Sequence, residues 1–147
     1  MIGVDNMQEI LNKWQKILRL QDWDIRLQLV EHEWRKSGDV KISLEDKCAI
    51  LLINTCNPLH KNIEEIIVHE LLHIKLWAMD QMVERHLNAV FGEDEDDPKR
   101  AIVYEEFMLT LESTVHDLTK SFIALGGEDK ELSFGLLEQQ VNEELKK

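Results

Sequence analysis

The sequence predicts an α+β domain, a small three-stranded sheet packed on one central helix and on a long helix that follows it. Three observations predict it. Two segments alternate apolar and polar residues with period two. A third is a short run that is apolar throughout. The rest of the chain carries apolar residues at helical spacing. The order is helix, three strands, helix, helix, tail, so helices and sheet are segregated rather than alternating as βαβ units. At 147 residues the chain has the length of one domain, enough to bury a core without disulfide staples.

Residues 6 to 20, NMQEILNKWQKILRL, place Ile10, Leu11, Trp14, Ile17 and Leu18 at helical spacing, with Asn6 as a cap. In DWDIRLQLVEHEW, Ile25, Leu27 and Leu29 alternate with Arg26 and Gln28, as in a half-buried strand. Ser37-Gly38-Asp39 is a turn, and VKISLE then alternates Val40, Ile42 and Leu44 with Lys41, Ser43 and Glu45. CAILLIN, 48 to 54, is apolar on both faces and reads as a covered strand. Pro58 breaks the sheet. Asn62 caps the next helix, with Glu65 three residues on as its capping-box partner. The apolar spacing runs on through Trp77, Met82 and Val90. This predicts a helix of about seven turns, or one bent near Met79, ended by Gly92. Residues 93 to 97, EDEDD, are a solvated loop. Asp97-Pro98 starts the last long helix, which carries its pattern from Ala101 to Leu125 and stops at Gly126-Gly127. The remainder, 126 to 147, is a short amphipathic helical tail behind a single domain spanning 1 to 125.

Charge and cysteines narrow the function classes. Seventeen Lys and Arg against 29 Asp and Glu leave a net charge of −12. Nucleic-acid binding rests on phosphate neutralisation, so no nucleic-acid partner is expected. Cys48 and Cys56 form neither a CxxC pair nor a disulfide framework, and read as two small buried hydrophobes in a reducing cell. The opening residues carry no basic stretch followed by an apolar run, so no signal peptide is expected, and no apolar stretch approaches the ~20 residues of a membrane span. The expectation is a cytoplasmic protein with no membrane association.

The chemistry is in IEEIIVHELLHIKLW, 63 to 77. His69 and His73 stand one helical turn apart, about 40° around the axis, and can grip one ion together. Glu70 lies beside them and can touch a water on that ion. Zinc suits the pair because it accepts imidazole nitrogens and tolerates an open fourth position. There it lowers the pKa of a water toward about 7, and Glu70 becomes the general base. The alternative is a satisfied core: Ile66, Ile67, Ile74 and Trp77 put these groups on the buried side. Burying two histidines and a glutamate without partners is costly, and an ion removes that cost.

A third ligand is expected on the last long helix. Taking Tyr104 as the centre of its apolar stripe, Glu105 and Glu112 border the stripe and Glu106 faces away. Glu105 is the first choice, Glu112 the second and Glu106 the third. Tyr104 reads as packing, or as a donor to an oxyanion. His86 is about 20 Å past His73 on a continuous helix, and His32 lies at a strand end. Cys56 with His60, and His116, are minor alternatives.

His69-Glu70-Leu71-Leu72-His73, followed by a helix bearing Tyr104-Glu105-Glu106, resembles the zincin metallopeptidases. The layout is similar to a minimal zincin over about residues 20 to 120. The sequence continues Ile-Lys-Leu-Trp rather than with G-x-x-H, which excludes the metzincin pattern. A glutamate as third ligand makes it similar to the gluzincin branch, in the small single-domain forms of bacteria and their phages. There is no N-E-x-x-x-D signature around Glu105. A weaker resemblance to SprT-like proteases implies DNA contacts, against which the charge speaks. The resemblance implies a zinc peptidase acting on a peptide or protein, with His69, His73 and Glu105 as ligands and Glu70 as catalytic base. It also implies a cleft-bordering strand that pairs with extended peptide, for which CAILLIN is the candidate. The alternative is a non-catalytic, zinc-stabilised module that binds a partner protein.

Overall fold

The computed structural model describes residues 3–146. The fold is α+β, with five helices and one three-stranded sheet among the described residues. Helix α1 spans Val4–Ile17 and buries Met7, Leu11 and Trp14. It begins before Asn6, with Gly3 at the cap position and no side-chain cap bond. Strands β1 (Asp24–Val30), β2 (Gly38–Ser43) and β3 (Cys48–Asn54) follow. They lie in the order β1-β3-β2, with β1 parallel to β3 and β2 antiparallel to it.

CAILLIN is therefore the middle strand. Both its edges are taken, so it is not the strand with a side free for a peptide. Its two faces also differ. Ala49, Leu51 and Ile53 enter the core, while Ile50 is 41% exposed. Among the described residues the helix packed on the sheet is α2, on the core face. Arg26 and Lys41 stand opposite Ile50 on its two neighbours, where their aliphatic stems can shield it. The apolar run reads as covered because side chains of flanking strands do part of what a second layer does elsewhere.

Helix α2 (Ile63–Lys75) lies at the centre of the domain and packs on α1, on the sheet, and on α4 (Pro98–Gly126). Ile67, Val68 and Leu71 are fully buried, each contributing roughly 1.5–3 kcal/mol by leaving water. The expected long helix is interrupted at Leu76, three residues before Met79, and resumes as α3 (Trp77–Phe91). Leu76 sits in the bridge region at φ −96°, ψ 3°. Gly92 ends α3 at φ 87°, a left-handed conformation that glycine adopts without Cβ strain. Asp97 caps α4 by accepting the Arg100 N–H at 2.9 Å, with Pro98 in the first turn. No helix among the described residues is long and apolar enough to cross a membrane.

The stretch after α4 is bound into the domain rather than trailing from it. Asn62 caps α2, accepting the Glu65 N–H at 3.2 Å, and its amide donates to the carbonyls of Asp129 and Glu131. The Glu65 carboxylate does not close the capping box. It accepts the Ser133 N–H at 3.2 Å, while Glu64, 2% exposed, accepts that of Glu128 at 2.7 Å. Residues 128–135 thus form a strap across the start of α2, and α5 (Leu136–Leu145) follows with no buried residue. Both cysteines are free. Cys48 is half-buried and Cys56 exposed, so the expected burial of the pair fails at Cys56, which lies in the turn after β3.

Gly38 decides how closely the sheet approaches α2. A Cβ there would stand 2.5 Å from Ile66 Cγ2 and 3.2 Å from the Leu52 carbonyl oxygen. Gly38→Ala is expected to destabilise the protein by about 1–3 kcal/mol as the buried contact is forced apart. The urea midpoint measures this, and an unchanged midpoint would show that the strand can give way freely.

Candidate metal centre

His69 and His73 project from α2 toward α4, where one carboxylate meets both. Glu112 Oε1 accepts from His73 Nε2 at 2.8 Å, and Oε2 lies 3.5 Å from His69 Nε2. The two rings are 5.0 Å apart between centroids. One donor atom from each of His69, His73 and Glu112 lies within 4.8 Å of the others. Two imidazole nitrogens and one carboxylate oxygen are a ligand set that zinc takes, with a fourth position left open. Neighbouring ligands about 2.0–2.1 Å from a tetrahedral ion stand roughly 3.4 Å apart, so only small side-chain shifts separate this arrangement from a bound one.

The structure brings Glu112, the second choice, to the two histidines. Glu105 and Glu106 are exposed on α4, and Glu105 lies seven residues before Glu112, about 10 Å along the axis. Glu105 and Glu112, two turns apart, share a face of α4, so height along the axis separates them, and the buried residues fix which part of α4 meets α2. Tyr104 is 40% exposed and stacks near the Arg100 guanidinium, so it does not mark the stripe's centre. The residues of α4 that are buried beyond its first turn are Val115, Thr119 and Ile123. Glu112 is three residues before Val115 and seven before Thr119, which sets it on that same face. Thr119, whose hydroxyl is satisfied by the Val115 carbonyl at 2.7 Å, interrupts the apolar pattern and hides the stripe.

Glu70 sits on the other side, toward the sheet. It is 7% exposed, its Cγ is 3.7 Å from the position of a Cβ on Gly38, and no hydrogen bond to it occurs among the described residues. Burial pushes its carboxyl pKa up, against the opposing pull of His69 and His73. The Glu112 carboxyl is held far below its ordinary value by hydrogen bonds from His69 and His73 and by their charge, which outweigh its burial. Burial pushes the His73 imidazole down, but the bond to Glu112 and the nearby carboxylates win and raise it. The two carboxylates beside the histidines are driven in opposite directions, the pattern that assigns one to holding charge and the other to handling protons.

His69, Glu70 and Glu112 line a cleft of about 210 Å³ between β2 and α4. Its wall contains His116, one turn beyond Glu112, and His60, from the loop before α2. The ring of His116 is 4.7 Å from that of His69 and 6.4 Å from that of His60. The i, i+4 spacing of Glu112 and His116 is the signal that places both on one face. His86 and His32 are exposed and away from the cleft, and Cys56 forms no metal-holding group with His60 among the described residues. Compared with known families, curated proteins and solved structures, the chain matches no family model, no curated protein and no solved structure.

Proposed function

We propose that this chain is a zinc-dependent peptidase of the minimal zincin kind, in which His69, His73 and Glu112 hold the ion and Glu70 is the general base. The observation that carries the reading is the convergence of three ligand atoms, drawn from two helices, beside a buried carboxylate of raised pKa. Zinc held there would act as a Lewis acid and activate water near neutral pH. Glu70 takes the proton from the attacking water and delivers it to the leaving nitrogen. The substrate is a peptide or protein. β2 supports this, because it is an edge strand whose start lies against Glu70. Ser37 accepts the Asn54 N–H, so by alternation Gly38, Val40 and Ile42 turn their backbone groups to the free edge. The Val40 N–H is taken by the Asp39 carboxylate at 2.9 Å, a side chain that an incoming strand must displace. A cytoplasmic setting belongs to the same reading, since an exposed free cysteine suits a reducing compartment.

The second reading is a non-catalytic module in which zinc only ties α2 to α4. It is favoured by the place of α2 at the centre of the core. Purified protein is expected to hold one zinc per chain and to generate new termini in a pool of unstructured peptides, read by mass spectrometry. Zinc binding with no cleavage of any peptide, and a metal-dependent melting temperature, would support the structural ion instead. Protein that takes up no zinc at all would refute both.

A further inference from the structure

We propose that the acidic face of α5, with its apolar stripe, docks on the outer face of the sheet in a second copy of this chain. The inference is independent of the peptidase reading, because it uses none of the residues assigned to the metal centre. α5 needs cover. It buries no residue, and a helix of this length is marginal in water unless a tertiary surface holds it. Leu137, Val141 and Leu145 follow one another at intervals of four and form one stripe, each more than half exposed. With Val141 as the centre, Glu138 stands about 60° to one side and Glu144 about 60° to the other. Acids thus flank the stripe on both sides, and α5 holds no Lys or Arg.

The outer face of the sheet has the opposite arrangement. Ile50 on the middle strand is exposed, with Arg26 beside it on β1 and Lys41 beside it on β2. An apolar side chain therefore lies between two cations. The two outer strands stand about 10 Å apart, close to the width of a helix. These three side chains help line a hollow of about 490 Å³. Arg26 has no ion-pair partner among the described residues. The acids of this face are engaged or at its margin. Asp39 holds Lys36 and Lys41 at 3.1 and 3.3 Å, and Asp24 is the first residue of β1. In a chain of net charge −12, this pair of cations complements the flanks of α5. Two α5 helices laid face to face would instead set Glu138 and Glu144 against their like. The strap ties the start of α5 to the start of α2, and α2 packs on the core face of its own sheet, so the outer face that α5 meets is another copy's. Exchange in both directions closes a two-fold dimer.

Sedimentation velocity of the full chain over a concentration series tests this, with reductant present to keep Cys48 and Cys56 free. The average mass of wild type is expected to rise with concentration toward that of two chains, and to fall back as salt screens the charges. Two double variants each set like charges against like. One carries Glu138→Lys and Glu144→Lys, the other Arg26→Glu and Lys41→Glu. Each is expected to raise the dissociation constant by about 10²-fold or more. Mixed in equal amounts, they restore opposite charges at both contacts, so association is expected to return as a heterodimer. Melting curves of each variant check that it is folded. Should a double variant fail to fold, Val141→Asp decides, because it removes the apolar centre of the stripe and is expected to be monomeric. A wild type that stays monomeric throughout the series overturns the inference. So does a dimer that the folded variants leave intact, or a pair of monomeric double variants whose mixture does not associate.

Discussion

Glu70→Gln is expected to lower peptide cleavage by about 10²–10⁴-fold while leaving zinc content unchanged, and at the same time to make the metal-free protein more stable. The two effects have one cause. Glu70 is buried on α2 with no hydrogen-bond partner among the described residues, and its proton is retained to higher pH than the ordinary 4.5. Above pH 4.5 the unfolded chain has lost that proton while the folded one still holds it. Metal-free stability therefore falls as pH rises from there through the raised value. Glutamine has no charge to bury and removes the loss. The Glu70 oxygens are not among the fully buried, partnerless atoms of the described residues, so the gain is expected to lie below the roughly 1–3 kcal/mol of a fully buried unpaired group, and about 2–4 °C of Tm accompanies each kcal/mol at this size. Melting curves of metal-free protein between pH 5 and 8 should separate wild type from variant increasingly toward alkaline pH. A catalytic group held at a cost to the fold gives this pairing of lost activity and gained stability. Equal Tm values across that range, or full cleavage by the variant, would refute the assignment.

The parts of the fold legible in the sequence are those where one pattern decides. The i, i+4 histidines set one ring beside the other on α2, and Asp97-Pro98 marks the start of α4, because both depend on helix geometry alone. The strands are legible from alternation, but their order is not. β3 becomes the middle strand through long-range pairing, and nothing in CAILLIN distinguishes a strand covered by a second layer from one flanked by Arg26 and Lys41. The break at Leu76 carries no Gly or Pro to announce it. The strap is hidden for a different reason. Glu64 and Glu65 look like first-turn acids favoured by the helix dipole, and only the folded chain reveals that they accept N–H groups from Glu128 and Ser133. The residues after Gly126 thus pack beside the cleft, since a Cβ on Gly135 would stand 3.1 Å from the ring of His60.

Glu112 shows most sharply how pattern and packing part, and it yields the second large effect. Glu112→Ala is expected to weaken zinc binding by more than about 10²-fold, since loss of even an outer-shell partner costs 10–100-fold; Glu105→Ala and Glu106→Ala should leave it unchanged. Competition with a chelating dye measures this directly. Metal-free protein provides an independent check with a definite sign. The Glu112 pKa is depressed, so its contribution to stability is present above its ordinary 4.5 and is lost as pH falls. The His73 pKa is raised, so its contribution is present below its ordinary 6.5 and is lost as pH rises through the folded value. Removing Glu112 should therefore destabilise the metal-free protein most between about pH 4.5 and 6.5, with the deficit narrowing on either side. In excess zinc the order of events changes. The ion competes with protons for the same imidazoles, so affinity falls on acidification. A carboxylate that serves only as an ion-pair partner for two histidines would produce the first pH dependence without the loss of zinc affinity, and that result would remove Glu112 from the centre.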